Sequence, residues 1–108
     1  MHSTLIVARM APEFGAEVGR IFGDFDRTEM PELMGTRRRQ LFSYQGLYFH
    51  LQDFDADGGP AIEQARSHPL FIDISNMLKA HIEPYDPETW QSPADAMADR
   101  FYHWEKLV

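Results

Sequence analysis

Two alternating runs, Thr36-Arg37-Arg38-Arg39-Gln40-Leu41-Phe42-Ser43-Tyr44 and Leu47-Tyr48-Phe49-His50-Leu51, are separated only by Gln45-Gly46. A two-residue connector ending in glycine, which reaches positive φ without a Cβ clash, predicts a tight β-hairpin. A tight turn fixes register, and register decides which side chains share a face. Tyr44 is set opposite Leu47, Ser43 opposite Tyr48, Phe42 opposite Phe49, Leu41 opposite His50 and Arg39 opposite Gln52. One face then carries Phe42, Tyr44, Leu47, Phe49 and Leu51, and reads as core. The other carries Arg39, Leu41, Ser43, Tyr48, His50 and Gln52. A cation, an imidazole, a phenol and a hydroxyl together on that face read as a pocket lining.

The hairpin sits within a regular alternation of elements. Ser3 to Met10 is rich in β-branched residues and predicts a largely buried strand. Pro12 suits a first helical turn, and Phe14, Val18, Ile21, Phe22 and Phe25 then fall at helical spacing to about Asp26. The hairpin runs to about Asp53, and Asp55-Ala56-Asp57-Gly58-Gly59-Pro60 is a turn. A short helix is expected from Pro60 to Arg66. A second is expected from Pro69, with Leu70, Phe71, Ile74, Leu78 and Ile82 as its stripe to about Pro84. Tyr85 to Pro93 reads as a connection, and Met97 to Trp104 as the last strand.

Strand, helix, strand, strand, helix, strand is the split βαβ order. It predicts an α+β, ferredoxin-like fold: a four-stranded antiparallel sheet with both helices on one face. The face without helices then needs a cover. A second copy would supply it, sheet against sheet, and would enclose a barrel-like interior for a flat apolar ligand.

Composition narrows the function classes. The 108 residues suit a single domain, residues 1–108. Seventeen acidic against ten basic residues, a formal charge of −7, argue against nucleic acid and anionic membrane as partners. No cysteine is present, so disulfides and thiolate chemistry are excluded. His2, His81 and His103 lack metal-ligand spacing, and no metal site is expected. No apolar run approaches the roughly 20 residues of a membrane span, and a cytoplasmic location is the default expectation.

With these elements in place, the chain resembles the small aromatic polyketide cyclases of type II polyketide biosynthesis. The resemblance is carried by Gly35-Thr36-Arg37-Arg38-Arg39-Gln40-Leu41-Phe42, by Leu47-Tyr48-Phe49-His50-Leu51, and by Ala65-Arg66-Ser67-His68-Pro69-Leu70-Phe71. The Pro84-Tyr85 and Trp90 region and Phe101-Tyr102-His103-Trp104 add to it. It implies a dimeric α+β barrel, free of metal and cofactor, that closes rings by aldol reaction and dehydration of a poly-β-ketone. The implied partners are the polyketide, a second copy and other components of a type II polyketide synthase. The resemblance also places the family's polar pocket residues on Arg39, His50 and Asp26. Phe25 stands where family members can carry a histidine, which points to a more apolar pocket end or a different substrate pose.

The chemistry of these side chains suits that reaction. An aldol closure needs a proton taken from a methylene, charge stabilised on an enolate, and a proton delivered to a carbonyl. His50 has an ordinary pKa suited to proton transfer near neutrality. Arg39 can hold an enolate or carboxylate with two donors, and Asp26 can orient a base. Tyr48, Ser43, Gln52, Leu41 and Trp104 are the expected substrate contacts. Arg38 alternates away from Arg39 and reads as structural, and His68 before Pro69 reads as a helix-entry device. Two other functions fit the same fold: a cofactor-independent monooxygenase of antibiotic biosynthesis, and a ligand-binding dimer without catalysis.

Overall fold

The computed structural model describes residues 2–91 and 93–107. Strand β1 (His2–Met10) leads through a 3-10 turn at Pro12–Phe14 into helix α1 (Gly15–Phe25) and the short helix α2 (Met30–Met34). The hairpin is β2 (Thr36–Tyr44) and β3 (Leu47–Phe54). Helices α3 (Gly58–Ala65) and α4 (Pro69–Leu78) follow, then strand β4 (Ile82–Pro84) and a second 3-10 turn at Pro93–Ala96. The sheet is antiparallel with strand order β2-β3-β1-β4. This is the expected α+β, ferredoxin-like arrangement. Among the described residues no helix is long and apolar enough to cross a membrane.

Local chemistry explains the joints. Gln45 (φ 49°) and Gly46 (φ 81°) both take positive φ, the combination that matches hairpin twist. All five facing pairs expected from the turn are present in the β2–β3 ladder. A register shift between Thr36 and Arg38 marks a bulge at the start of β2. The Thr28 hydroxyl donates to the Phe25 carbonyl (2.6 Å) and accepts from the Met30 N–H (3.2 Å), so it closes α1 and opens α2. His68 Nδ1 accepts from the Leu70 N–H (3.1 Å), capping α4 with Pro69 in its first turn.

Two expectations are corrected. The fourth strand is Ile82–Pro84, paired with Ala8–Met10, rather than Met97–Trp104. Ile82 lies four residues after Leu78 and so mimics a continuing helical stripe. The helix nevertheless ends at Leu78, and the His81 N–H donates to the Leu78 carbonyl (2.9 Å) in the turn that follows. Of the expected last strand only Met97 bridges to Ile6, and the Ala98 N–H donates to Leu5 (2.7 Å). Residues 99–107 have no regular structure, and Phe101 and Trp104 are exposed.

The second correction concerns the faces of the hairpin. The helices cover the polar face, not the aromatic one. Tyr48, His50 and Gln52 are buried together with Val18, Ile21, Phe22 and Phe25 of α1, whereas Phe42 and Tyr44 are 50% and 63% exposed. Alternation shows that two faces differ but not which of them meets the helices. Here the polar face can be buried because its charge is neutralised internally, as the site geometry shows.

Candidate active site

A cavity of about 680 Å³ lies between the sheet and the helices of a single chain. It does not lie between two sheets, as a sheet-to-sheet barrel interior would require. Its floor is the inner face of the sheet, where Ile6 and Ala8 of β1 stand beside Tyr48 and His50 of β3. Phe22 and Phe25 of α1 form one side. Ile62 of α3 and Phe71, Ile74 and Leu78 of α4 form another, and Ile82, Pro84 and Trp90 close the β4 edge. Size and lining suit a small organic ligand with a largely apolar body.

Arg39, Asp26 and His50 form one connected unit on the same face of the sheet, with His50 itself part of this floor. The Asp26 carboxylate at the end of α1 accepts from Arg39 Nη2 (2.8 Å) and from Nε (3.1 and 3.0 Å to its two oxygens). The guanidinium also lies 4.9 Å from the ring centre of Phe22 and 5.6 Å from that of Phe25. Its side chain is 7% exposed, against 37% for Asp26. Nη1 points the other way and meets His50 Nε2 at 2.9 Å. Guanidinium has only donors, so Nε2 must accept and the imidazole hydrogen sits on Nδ1. Nδ1 has no hydrogen-bond partner among the described residues, and the ring lines the cavity.

This environment changes the chemistry available to His50. Burial, and after it the Arg39 charge, pull its pKa down to about 3. The ring is therefore a neutral hydrogen-bond donor at physiological pH, not an imidazole poised to titrate near 7. Its ring packs 5.0 Å from Phe22 and 6.3 Å from Tyr48, centre to centre. Tyr48 is 3% exposed, and burial pushes its phenol well above the ordinary range despite the opposing pull of Arg39. It stays a neutral hydroxyl, with no hydrogen-bond partner among the described residues.

The other expected site residues separate clearly. Gln52 is buried but donates to the Thr36 hydroxyl (2.8 Å), holding the start of the hairpin rather than facing the cavity. Leu41 packs against the core and does not line the cavity. Ser43 is exposed near the hairpin tip, and Trp104 is 70% exposed in the C-terminal segment, so neither meets the cavity. Arg38 bonds Asp53 (3.0 Å) on the outer face, as a structural residue would. Trp90, Phe71 and Ser75 were not foreseen as lining. Trp90 and Phe71 lay within the family-like segments, but no spacing rule aimed them at the pocket. Among the described residues no group of three or more candidate ligands gathers as a metal site.

A four-stranded antiparallel sheet with a one-sided helical layer, over a cavity with neutral donors on its floor, defines a small α+β protein with room for an organic ligand. The chain belongs to the polyketide synthesis cyclase family, whose model matches residues 2–105. It is 43% identical to the polyketide synthase CurG of Streptomyces cyaneus over 98% of this chain and 99% of that protein. It is 38% identical to the tetracenomycin F2 cyclase of Streptomyces glaucescens over 95% of this chain and 94% of that one. The structure of that type II polyketide cyclase superposes with a TM-score of 0.92, covering 99% of this chain and 100% of the other. A crystal structure of an antibiotic biosynthesis monooxygenase shares the fold at 16% identity, with a TM-score of 0.53, covering 76% and 86% of the two chains.

The depressed His50 pKa has a consequence for stability. Between about pH 6.5 and about pH 3 the unfolded chain holds a proton on this residue and the folded chain does not. Its contribution is therefore present above about pH 6.5 and declines as the pH falls toward 3, by roughly a few kcal/mol in total. His50→Gln keeps an acceptor for Arg39 and removes the titration. Denaturant unfolding from pH 7 to about 4.5 should show the parent losing more stability than this variant. Parallel curves would contradict a buried neutral His50.

Proposed function

We propose that the protein is an aromatic polyketide cyclase that performs a regioselective intramolecular aldol closure and dehydration of a poly-β-ketone in bacterial type II polyketide biosynthesis. The observation that carries this reading is the placement of two neutral donors, His50 Nδ1–H and the Tyr48 hydroxyl, among the apolar side chains on the floor of the cavity. An aldol closure is redox-neutral. A methylene carbon loses a proton, a C–C bond forms to a carbonyl carbon, the carbonyl oxygen is protonated, and water then leaves. A methylene between two carbonyls is already acidic, so the wall need not supply a strong base. Its task is to hold one folded conformer of a flexible chain, which is worth up to roughly 7–11 kcal/mol in well-oriented cases. Its second task is to stabilise developing charge on oxygen.

The residues divide that work. His50 Nδ1–H donates to the enolate oxygen, and Tyr48 donates to the acceptor carbonyl. Arg39 is a positioning residue. By donating to Nε2 it fixes the tautomer and makes Nδ1–H a stronger donor. Asp26 holds Arg39 in turn. Phe25 supports an apolar pocket end, in keeping with the absence of a histidine there. No step calls for a cofactor.

The direct test is product analysis of a reconstituted polyketide synthase with this protein added and left out. A shift from spontaneous to regioselectively cyclised product is expected. Tyr48→Phe should lower that rate by about 10- to 100-fold while the protein stays folded. An unchanged product profile would count against the cyclase reading and favour a ligand-binding dimer without catalysis, and oxygen uptake with an anthrone substrate would point to the monooxygenase.

A homodimer belongs to the same proposal, with its interface on the face opposite to the one first expected. The outer face of the sheet exposes Phe42 and Tyr44 beside the half-buried Leu47, Phe49 and Leu51, and Phe101 and Trp104 are exposed nearby in sequence to the last β1 contact. A second copy would cover this apolar surface. Light scattering should report a dimer, and Phe42→Asp should shift it toward monomer. A parent protein that is monomeric at micromolar concentration would sink the dimer.

A further inference from the structure

Strand β4 does not complete its edge of the sheet. Ile82–Pro84 pair with Ala8–Met10, and the next contact along the same strand is the bridge from Met97 to Ile6. Between Pro84 and Met97 the chain leaves β1 and returns to it, so the ladder along this edge is interrupted at Val7. Successive strand residues point to opposite faces. Ile6 and Ala8 line the large cavity on the inner face, whereas Val7 lines a second, small cavity of about 70 Å³. The two cavities therefore lie on opposite faces of β1, at one break in its edge.

Trp90 lines both of them. The backbone around it is pinned by short-range bonds. The Thr89 and Trp90 N–H groups both donate to the Asp86 carbonyl (3.2 Å each), and the Glu88 N–H donates to the Asp86 carboxylate (3.0 Å). On the other side the Gln91 N–H donates to the Asp95 carboxylate (2.7 Å). Tyr85, where the chain departs from β4, is clamped by Arg9, which donates to its carbonyl (3.2 Å) and lies 4.4 Å from its ring centre. The segment has turns but no helix or strand, yet these bonds fix where Trp90 stands. Burial of apolar surface accounts for a large side chain at the sheet edge. It does not account for a half-buried indole held where two cavities meet.

We infer that the Trp90 indole plugs the break at Val7 and forms an end wall of the large cavity, limiting how far the carbon skeleton of a substrate extends toward the β4 edge. This deepens the cyclase reading and rests on it for the reaction. Trp90 is then a specificity-determining residue that takes no part in proton transfer. His50 and Tyr48 are fixed on the floor, so the distance from them to an end stop decides which carbonyl of a long chain lies over the two donors. The substrate class is a poly-β-ketone of bounded length, and the flat indole suits a conjugated or fused-ring end. Removing the ring would merge the two cavities and release the stop.

The test is equilibrium dialysis of the full chain against two neutral probes, 9,10-anthraquinone and 5,12-naphthacenequinone, which differ by one fused ring. The readout is the ratio of their affinities. In the parent the added ring meets the wall or stays in solvent, and the ratio should be near one. In Trp90→Ala the ring enters the merged space, and the longer probe should bind about tenfold tighter than the shorter. Trp90→Phe, with a smaller ring, should fall between them, and it carries the comparison alone if Trp90→Ala does not fold. A parent that already prefers the longer probe tenfold, a ratio unmoved by either substitution, or binding of neither probe would each overturn the wall. Product analysis with the reconstituted synthase is independent of these probes. An intact product shift with an unmoved ratio would leave the cyclase reading standing without the wall, and the reverse pattern would leave the wall without the cyclase.

Discussion

The contact between Arg39 and His50 is the one on which the rest of this structure depends. A guanidinium that is nearly buried needs a counter-charge, and Asp26 at the end of α1 supplies it through two nitrogens. The same guanidinium rests on Phe22 and Phe25 and donates to His50 on the neighbouring strand. One side chain thereby ties the end of α1 to the centre of the hairpin. It also settles the state of the imidazole, because a donor on Nε2 leaves Nδ1 to carry the hydrogen and opposes protonation. Without that pairing the polar face of the hairpin could not lie under the helices.

Burying a polar face rather than an aromatic one has two results. Inside, the sheet gives the cavity a floor with a few oriented donors among apolar walls, the composition expected of a site that binds a carbon skeleton and acts on its oxygens. Outside, Phe42 and Tyr44 are left in solvent beside a row of half-buried apolar side chains. A single arrangement thus yields both a cavity within the chain and an exposed apolar surface on the opposite face of the sheet. The two need not share an interior.

Much of this was legible in the residues. Gln45-Gly46 determined the turn, the turn determined the register, and every facing pair followed, including the one that sets Arg39 across from Gln52 and beside His50. The apolar stripe of α1 and the capping role of His68 were equally plain, since each rests on local chemistry. What failed depended on contacts distant in sequence. Ile82 continued a helical spacing and so hid β4, which only the Ala8–Met10 edge of β1 could reveal. The faces of the hairpin were reversed because Phe42 and Tyr44 are as apolar as a core requires. Only the Asp26–Arg39 pair, thirteen residues apart, makes the other face fit to bury. Trp104 matched the family pattern yet stands away from the cavity, while Trp90, in a connection without periodicity, lines it.

The state of His50 is the central claim, and it can be observed directly. Nitrogen-15 NMR of the imidazole side chains, followed through a pH titration, reports both charge and tautomer. The His50 signals should remain those of a neutral ring with hydrogen on Nδ1 from about pH 8 down to about pH 4.5. A His50 that takes up a proton within that range, or that carries its hydrogen on Nε2, would contradict the arrangement on which the site is built.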